Sequence, residues 1–142
     1  MWDSSMTIML LEGTRDTLYM TLLATFFGYV FGLPMGIALM VTAKDGIQPS
    51  SRGGQRVYAV IYKVLDVIVN ITRSIPFLIL LILVIPLTKL IVGKSYGSAA
   101  TIVPLTIAAA PFIARMVESS LKEVDRGVIE AAQSMGASTG RI

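Results

Sequence analysis

Leu18 to Val41 is a run of 24 residues without a formal charge, and no other feature restricts the fold of this chain so tightly. About 20 predominantly apolar residues in a helix cross the roughly 30 Å hydrocarbon core of a bilayer. Within that core only a helix or a closed barrel satisfies its own backbone polar groups. The run predicts a membrane-spanning helix over about 17–41. A cleaved signal peptide fits it poorly, because a signal core of roughly 7 to 15 residues follows a basic stretch. Here the preceding flank carries Asp3, Glu12 and Asp16 against Arg15, so the small residues at Val41-Thr42-Ala43 do not read as a cleavage site.

Two further spans are expected. Ser74 to Thr88 is uncharged for only 15 residues, so a second crossing over about 64–90 must recruit Val64 to Arg73 and carry polar side chains to membrane depth. Ala99 to Ala114 is uncharged for 16 residues. A third span over about 98–117 includes Arg115, whose long side chain is expected to snorkel to the headgroups. With 54% apolar residues and a mean hydropathy of +0.74, the chain is expected to be an all-α, polytopic membrane helical bundle, with residues 1–142 in one transmembrane domain.

Orientation follows from the bias of Lys and Arg towards cytoplasmic loops. Lys44, Arg52, Arg56 and Lys63 separate spans one and two, and Arg115, Lys122, Arg126 and Arg141 follow span three. Arg15, Lys89 and Lys94 lie on the opposite side, so eight against three predicts an outer N-terminus in a cell membrane. The same bias accounts for a pI near 9.4 without a basic stripe interleaved with aromatics, so nucleic acid is not an expected partner. The chain lacks both Cys and His. Disulfides, thiolate-held clusters and imidazole catalysis are thereby excluded, and an ordinary zinc site is not expected.

Residues 42–56 contain Gly46, Pro49, Ser50, Ser51, Gly53 and Gly54 and read as a flexible connector, and Gly93 to Ser98 reads as a short outer turn. Gly93-Lys94-Ser95 resembles the end of a phosphate-binding loop, but Thr88 stands where that motif needs its first Gly. No cofactor site is expected in this chain.

Inside the first span, Ala24, Gly28, Gly32 and Gly36 recur every four residues and share one helical face. Small residues allow close helix approach, which in lipid stands in for the missing hydrophobic drive. Packing within the chain is the simpler use of this face, and a dimer seam the alternative. Pro34 predicts a bend near residues 30–34. In the second span Lys63, Asp66, Asn70 and Arg73 are spaced three, four and three residues apart and share a face that continues to Ser74. An Arg at membrane depth costs about 2.5–3.5 kcal/mol on insertion scales, so Arg73 is expected to face protein, water or Asp66. The stripe lines a pathway or subunit interface, or else marks where the helix emerges into water. Pro76 and Pro86, then Pro104 and Pro111, make spans two and three kinkable.

After the third span, Glu130-Ala131-Ala132 is followed after three residues by Gly136. This spacing resembles the Glu-Ala-Ala-xxx-Gly loop of bacterial ABC importer permeases. The resemblance extends along Arg73-Ser74-Ile75-Pro76-Phe77, Ile102-Val103-Pro104-Leu105-Thr106, Ala109 to Glu118 and Ile129 to Ala137. Across almost its whole length the chain is similar to the methionine-uptake ABC permease family, the type I, binding-protein-dependent importers. That resemblance implies a homodimeric permease, two copies of a cytoplasmic ABC ATPase that bind ATP and Mg, and an extracytoplasmic methionine-binding protein. It further implies that residues 127–140 form the coupling segment. Glu130 would contact the ATPase, Ala131 and Ala132 would allow close approach, and Gly136 would permit the turn.

The family continues beyond Gly136 through an Ile, a Leu-Pro and two more spans, whereas this sequence ends at Ile142, so the chain is expected to be either a fragment or a truncated product. The leading reading is the transmembrane subunit of an ATP-driven importer of methionine, D and/or L, and not an enzyme in itself. A non-transporting anchor or regulatory subunit, or a permease for another amino acid, is the alternative.

Overall fold

A computed structural model describes residues 2–44, 46–47 and 51–142. Of the predicted connector, Pro49 and Ser50 lie outside the described residues. Six helices are described: α1 Ser4–Thr42, α2 Arg52–Ser74, α3 Phe77–Leu83, α4 Ile85–Val92, α5 Ser98–Lys122 and α6 Arg126–Ser134.

The Asp3 carboxylate caps α1 by accepting from the Ser4 N–H at 2.9 Å. The helix then runs 39 residues, through Pro34 without interruption. At 1.5 Å per residue that is about 58 Å, nearly twice the hydrocarbon thickness. It begins well before the apolar run that signalled it. The connector is correspondingly shorter than its composition suggests, because the Ser51 hydroxyl accepts from the Gly54 N–H at 3.1 Å and starts α2 at Arg52. A good N-cap offsets the poor propensity of Gly53 and Gly54.

The second predicted span is not one helix. Ile75 precedes Pro76 and takes an extended conformation (φ −77°, ψ 123°), the region to which proline ring sterics confine its predecessor. The chain turns there by 109° between α2 and α3. A second proline, Pro86, sits in the first turn of α4 and lacks the N–H that would continue α3 into it. By length and hydropathy α1 and α5 can each cross a membrane, and α2 with α3 makes a third crossing if the bent pair is taken as one.

The register between α1 and α5 is set by close contacts along their length. Asp16 accepts from the Ser98 hydroxyl at 3.2 Å, Gly28 lies against Ala109 and Ile113, Gly32 against Ala110 and Ile113, and Gly36 against Ala114 and Val117. Residue numbers rise together on both helices, so the two are parallel and the chain between them must return. At the far end, α1, α2 and α5 meet at Leu39, Val69 and Ala114, each with no exposed surface, with Met35, Tyr62 and Leu65 packed around them.

Candidate functional site

Just beyond that junction α5 presents Arg115, Glu118 and Lys122 at i, i+3 and i+7, on one face of the helix. Arg115 forms an ion pair with Asp66 of α2 through Nη2. The same nitrogen donates to Asn70 Oδ1 at 2.8 Å, while Nη1 donates to Glu118 Oε2 at 2.6 Å. Lys122 Nζ donates to the other Glu118 oxygen at 2.7 Å, and Asn70 Nδ2 donates to Asp66 Oδ2 at 3.2 Å. Glu118 is only 3% exposed and holds a cation on each oxygen. A carboxylate so buried persists in its charged form only when paired. The guanidinium fork is suited to bridging two carboxylates at once.

This arrangement departs from the sequence expectation at Arg115, which reads as snorkelling outwards and instead turns inward between two helices. Asp66, one of the alternatives left open for Arg73, pairs with Arg115. Arg73 is exposed, and Ser74, also exposed, donates its hydroxyl to the Asn70 carbonyl at 2.7 Å. Of the α2 stripe, the structure therefore brings Asp66 and Asn70 to α5 and leaves Arg73 outside the cluster. Sequence reasoning missed Glu118 and Lys122 as members; their i, i+3, i+7 spacing from Arg115 was the available signal. The stripe of Ala24, Gly28, Gly32 and Gly36 is buried and faces α5 of the same chain. A side chain at Gly32 or Gly36 would come within 2.6 Å of a backbone carbonyl oxygen of α5. Thr106, in one of the motifs quoted above, has its hydroxyl oxygen buried with no hydrogen-bond partner among the described residues.

Two turns after Arg115 the chain leaves α5 and starts again as α6, where the Asp125 carboxylate accepts from the Gly127 N–H at 2.7 Å. At the other end Gly136 takes φ +82°, its N–H donates to Gln133 O at 2.9 Å, and the Ala137 N–H donates to Ala132 O at 3.0 Å. That pair of bonds is a Schellman closure with glycine in the left-handed position. The helix is thus capped at both ends by its own sequence. Open space surrounds a Cβ built on Gly136, so backbone conformation, not crowding within this chain, is what calls for glycine there.

Ile129 and Ala132 are half-buried on the α6 face towards the bundle, and a cavity of about 240 Å³ is lined by Ile129, Glu130 and Gln133 on one side and Met40, Gly46 and Ile47 on the other. Glu130 and Ala131 are exposed. So are Val124, Val128 and Met135, at 45%, 63% and 83%. With Ala131, Val128 and Met135 make an exposed apolar strip on α6 at spacings of three and four residues, while Val124, before the helix, lines a cavity with Ile37, Met40 and Val41 of α1.

Residues 53–142, which contain α6, its caps and the charge cluster, match the family model described as binding-protein-dependent transport system inner membrane component. The chain belongs to that family. It is 49% identical over 135 residues to the D-methionine transport system permease protein MetI of Salmonella typhimurium, covering 95% of this chain and 58% of that protein. Against the protein of the same description from Escherichia coli it is 50% identical over 134 residues, covering 94% and 58%. Its fold superposes with a TM-score of 0.90 on a chain from inward-facing conformations of the MetNI methionine ABC transporter, at 48% identity and with 99% of this chain and 62% of that one covered. The all-α architecture is therefore that of the type I ABC importer permeases, and this family member is an integral membrane protein. The chain spans 58% of the length of those MetI relatives.

Proposed function

We propose that this chain is the membrane-spanning part of an ATP-driven methionine importer, in which α6 receives the movement of a separate ATPase and the Arg115 cluster passes it into the bundle. The observation that carries the reading is the self-capped α6, with Glu130 and Ala131 exposed, joined by the three residues Glu123 to Asp125 to the end of α5. A helix whose ends are closed by its own residues keeps its shape while it moves as a unit. Its outer strip of Val128, Ala131 and Met135 supplies apolar surface for a partner's cleft, and Glu130 supplies a charge at its edge. The link to α5 is short, so displacement of α6 acts on the last turns of α5, where Glu118 and Lys122 sit. Through Arg115 the load reaches Asp66 and Asn70 of α2.

In this reading α1, the α2–α4 unit and α5 cross the membrane with the N-terminus outside, which places α6 in the cytoplasm, in accord with the Lys and Arg distribution. The permease works as a homodimer with two ATPase copies, which hold ATP and Mg, and with an extracytoplasmic methionine-binding protein. The chain catalyses no reaction itself. The relatives described as D-methionine and methionine transporters support methionine as the cargo, D and/or L.

The test is uptake of labelled methionine by cells producing the intact permease with its ATPase. Glu130→Lys is expected to abolish most of the uptake while the permease still reaches the membrane. Unchanged uptake in that variant would remove the coupling role from α6.

A further inference from the structure

The α2 stripe gives Asp66 and Asn70 to the charge cluster and leaves Arg73 out of it. The depth of Arg73 is fixed by its neighbour in the chain. Thr72 lines a cavity of about 260 Å³ together with Phe31 and Met35 of α1 and Ile107 and Pro111 of α5. Met35 and Phe31 stand six and ten residues before Val41, the end of the uncharged run, which is about 9 and 15 Å inside that run at 1.5 Å per residue. Arg73 therefore lies within the membrane interior, about one helical turn further in than Asn70. There it is exposed and makes no hydrogen bond or ion pair among the described residues. Arg115, by contrast, is engaged by Asp66 and Glu118.

The backbone at this point is broken as well. Pro76 has no N–H to offer the Thr72 carbonyl, and past the 109° turn no backbone N–H bonds to the carbonyls of Arg73 and Ser74 among the described residues. Irregular backbone at membrane depth persists only where it is buried in protein or lines a water-filled cavity, and an ionisable side chain there faces the bundle interior or water for the same reason. An unpaired guanidinium and a set of carbonyls without donors thus mark one place on α2 as facing an aqueous path. Their charges are complementary. A guanidinium holds a carboxylate through two parallel bonds, and the carbonyls at a helix C-terminus carry partial negative charge that favours an ammonium group. An α-amino acid carries both groups on one carbon.

We infer that Arg73 takes the α-carboxylate of the cargo as it passes the break between α2 and α3, while the carbonyls of Thr72, Arg73 and Ser74 take its ammonium group. This role rests on the importer reading and names the groups within it that meet the amino acid.

The test is equilibrium binding of labelled methionine to the intact permease with its ATPase in detergent, paired with uptake into proteoliposomes that also receive the binding protein. Arg73→Gln is expected to weaken binding about tenfold or more, the scale of a hydrogen bond to a charged group, and to lower uptake with it. Methionine amide keeps the ammonium and the thioether but lacks the carboxylate. It should compete poorly against methionine on the wild type and lose that disadvantage on Arg73→Gln. Arg73→Lys should keep part of the affinity and of the discrimination, because the charge remains without the planar fork. The unfolding midpoint of Arg73→Gln should match the wild type, since no bond among the described residues is lost. Unchanged binding in Arg73→Gln, or an amide that competes as well as methionine on the wild type, overturns the role. A lowered midpoint means that a fixed acid of a second copy or of a further segment holds Arg73, and overturns it too. A wild-type complex that takes up no methionine removes the importer reading and this role together, whereas wild-type uptake that persists in Arg73→Gln removes this role alone.

Discussion

The two faces by which α5 is held are built on opposite principles. Towards α1 it packs alanine and branched side chains onto glycine, close enough that an added methyl at Gly32 or Gly36 would strike backbone. Towards α2, at nearly the same depth, it offers Arg115, held along α5 by Glu118 and, through Glu118, Lys122, to Asp66 and Asn70. The first seam is held by shape, and close-packed interiors deform little. The second is held by a few bonds between buried or half-buried charges, which are strong while complete and costly when one member is lost. A bundle with one seam of each kind can slide or open along the charged one while the steric one stays registered. That division suits a protein in which α5 carries load from one end.

Several substitutions would break or sharpen this contrast. The largest effect is expected at Arg115→Ala, which leaves Glu118, at 3% exposure, with Lys122 on one oxygen only and removes the cation from Asp66. A destabilisation of about 3–5 kcal/mol should appear as a lower unfolding midpoint of the detergent-solubilised permease, and the charge-reversed pair Asp66→Arg/Arg115→Asp should recover only part of it because Glu118 is then mispaired. Gly36→Val tests the steric seam. Overpacking against the Ala114 carbonyl and Val117 should cost about 1–3 kcal/mol, with Gly28→Ala milder, since its new methyl would meet Ala109 Cβ and Ile113 Cδ1 at 3.1 Å and no backbone atom closer than 3.9 Å. If Gly28→Ala proves as damaging as Gly36→Val, the seam is not graded by closeness as described.

Next comes Gly136→Ala, which places a Cβ in the left-handed region at a cost of about 1–2 kcal/mol. Because α6 stands outside both seams, thermal unfolding of the bundle should be unchanged while hydrogen exchange in residues 130–137 rises. A shift in the global midpoint would contradict that independence. Smallest of all is Thr106→Val, which replaces a buried hydroxyl without a partner among the described residues; stability should rise by up to about 1 kcal/mol, read from the same unfolding midpoint.

The helices were largely legible along the chain. Runs of uncharged residues marked α1 and α5, and Glu130 with Gly136 marked α6 and its end. Local chemistry was harder to weigh. Gly53 and Gly54 read as loop, yet the Ser51 cap places them in the first turn of α2, and a pre-proline residue that read as a kink produces a turn of 109°. The four-residue stripe of Ala24, Gly28, Gly32 and Gly36 announced a close approach but not its partner. The charge cluster was half visible, since the α2 stripe put Asp66 and Asn70 on one face while Arg115 was assigned to the headgroups.

The sequence by itself determined what depends on neighbours within about one helical turn: where apolar length suffices for a membrane, which residues share a face, and that α6 is closed by Asp125 and Gly136. Only the tertiary structure decided which charge meets which. Arg73 is seven residues from Asp66 and Arg115 is 49 away, yet Arg115 takes the contact, because the relative register of α2 and α5 is fixed by Leu39, Val69 and Ala114 packing together and by glycines that let α1 hold α5 in place. Interhelical register is a property of packing between segments distant in the chain, and no local spacing encodes it.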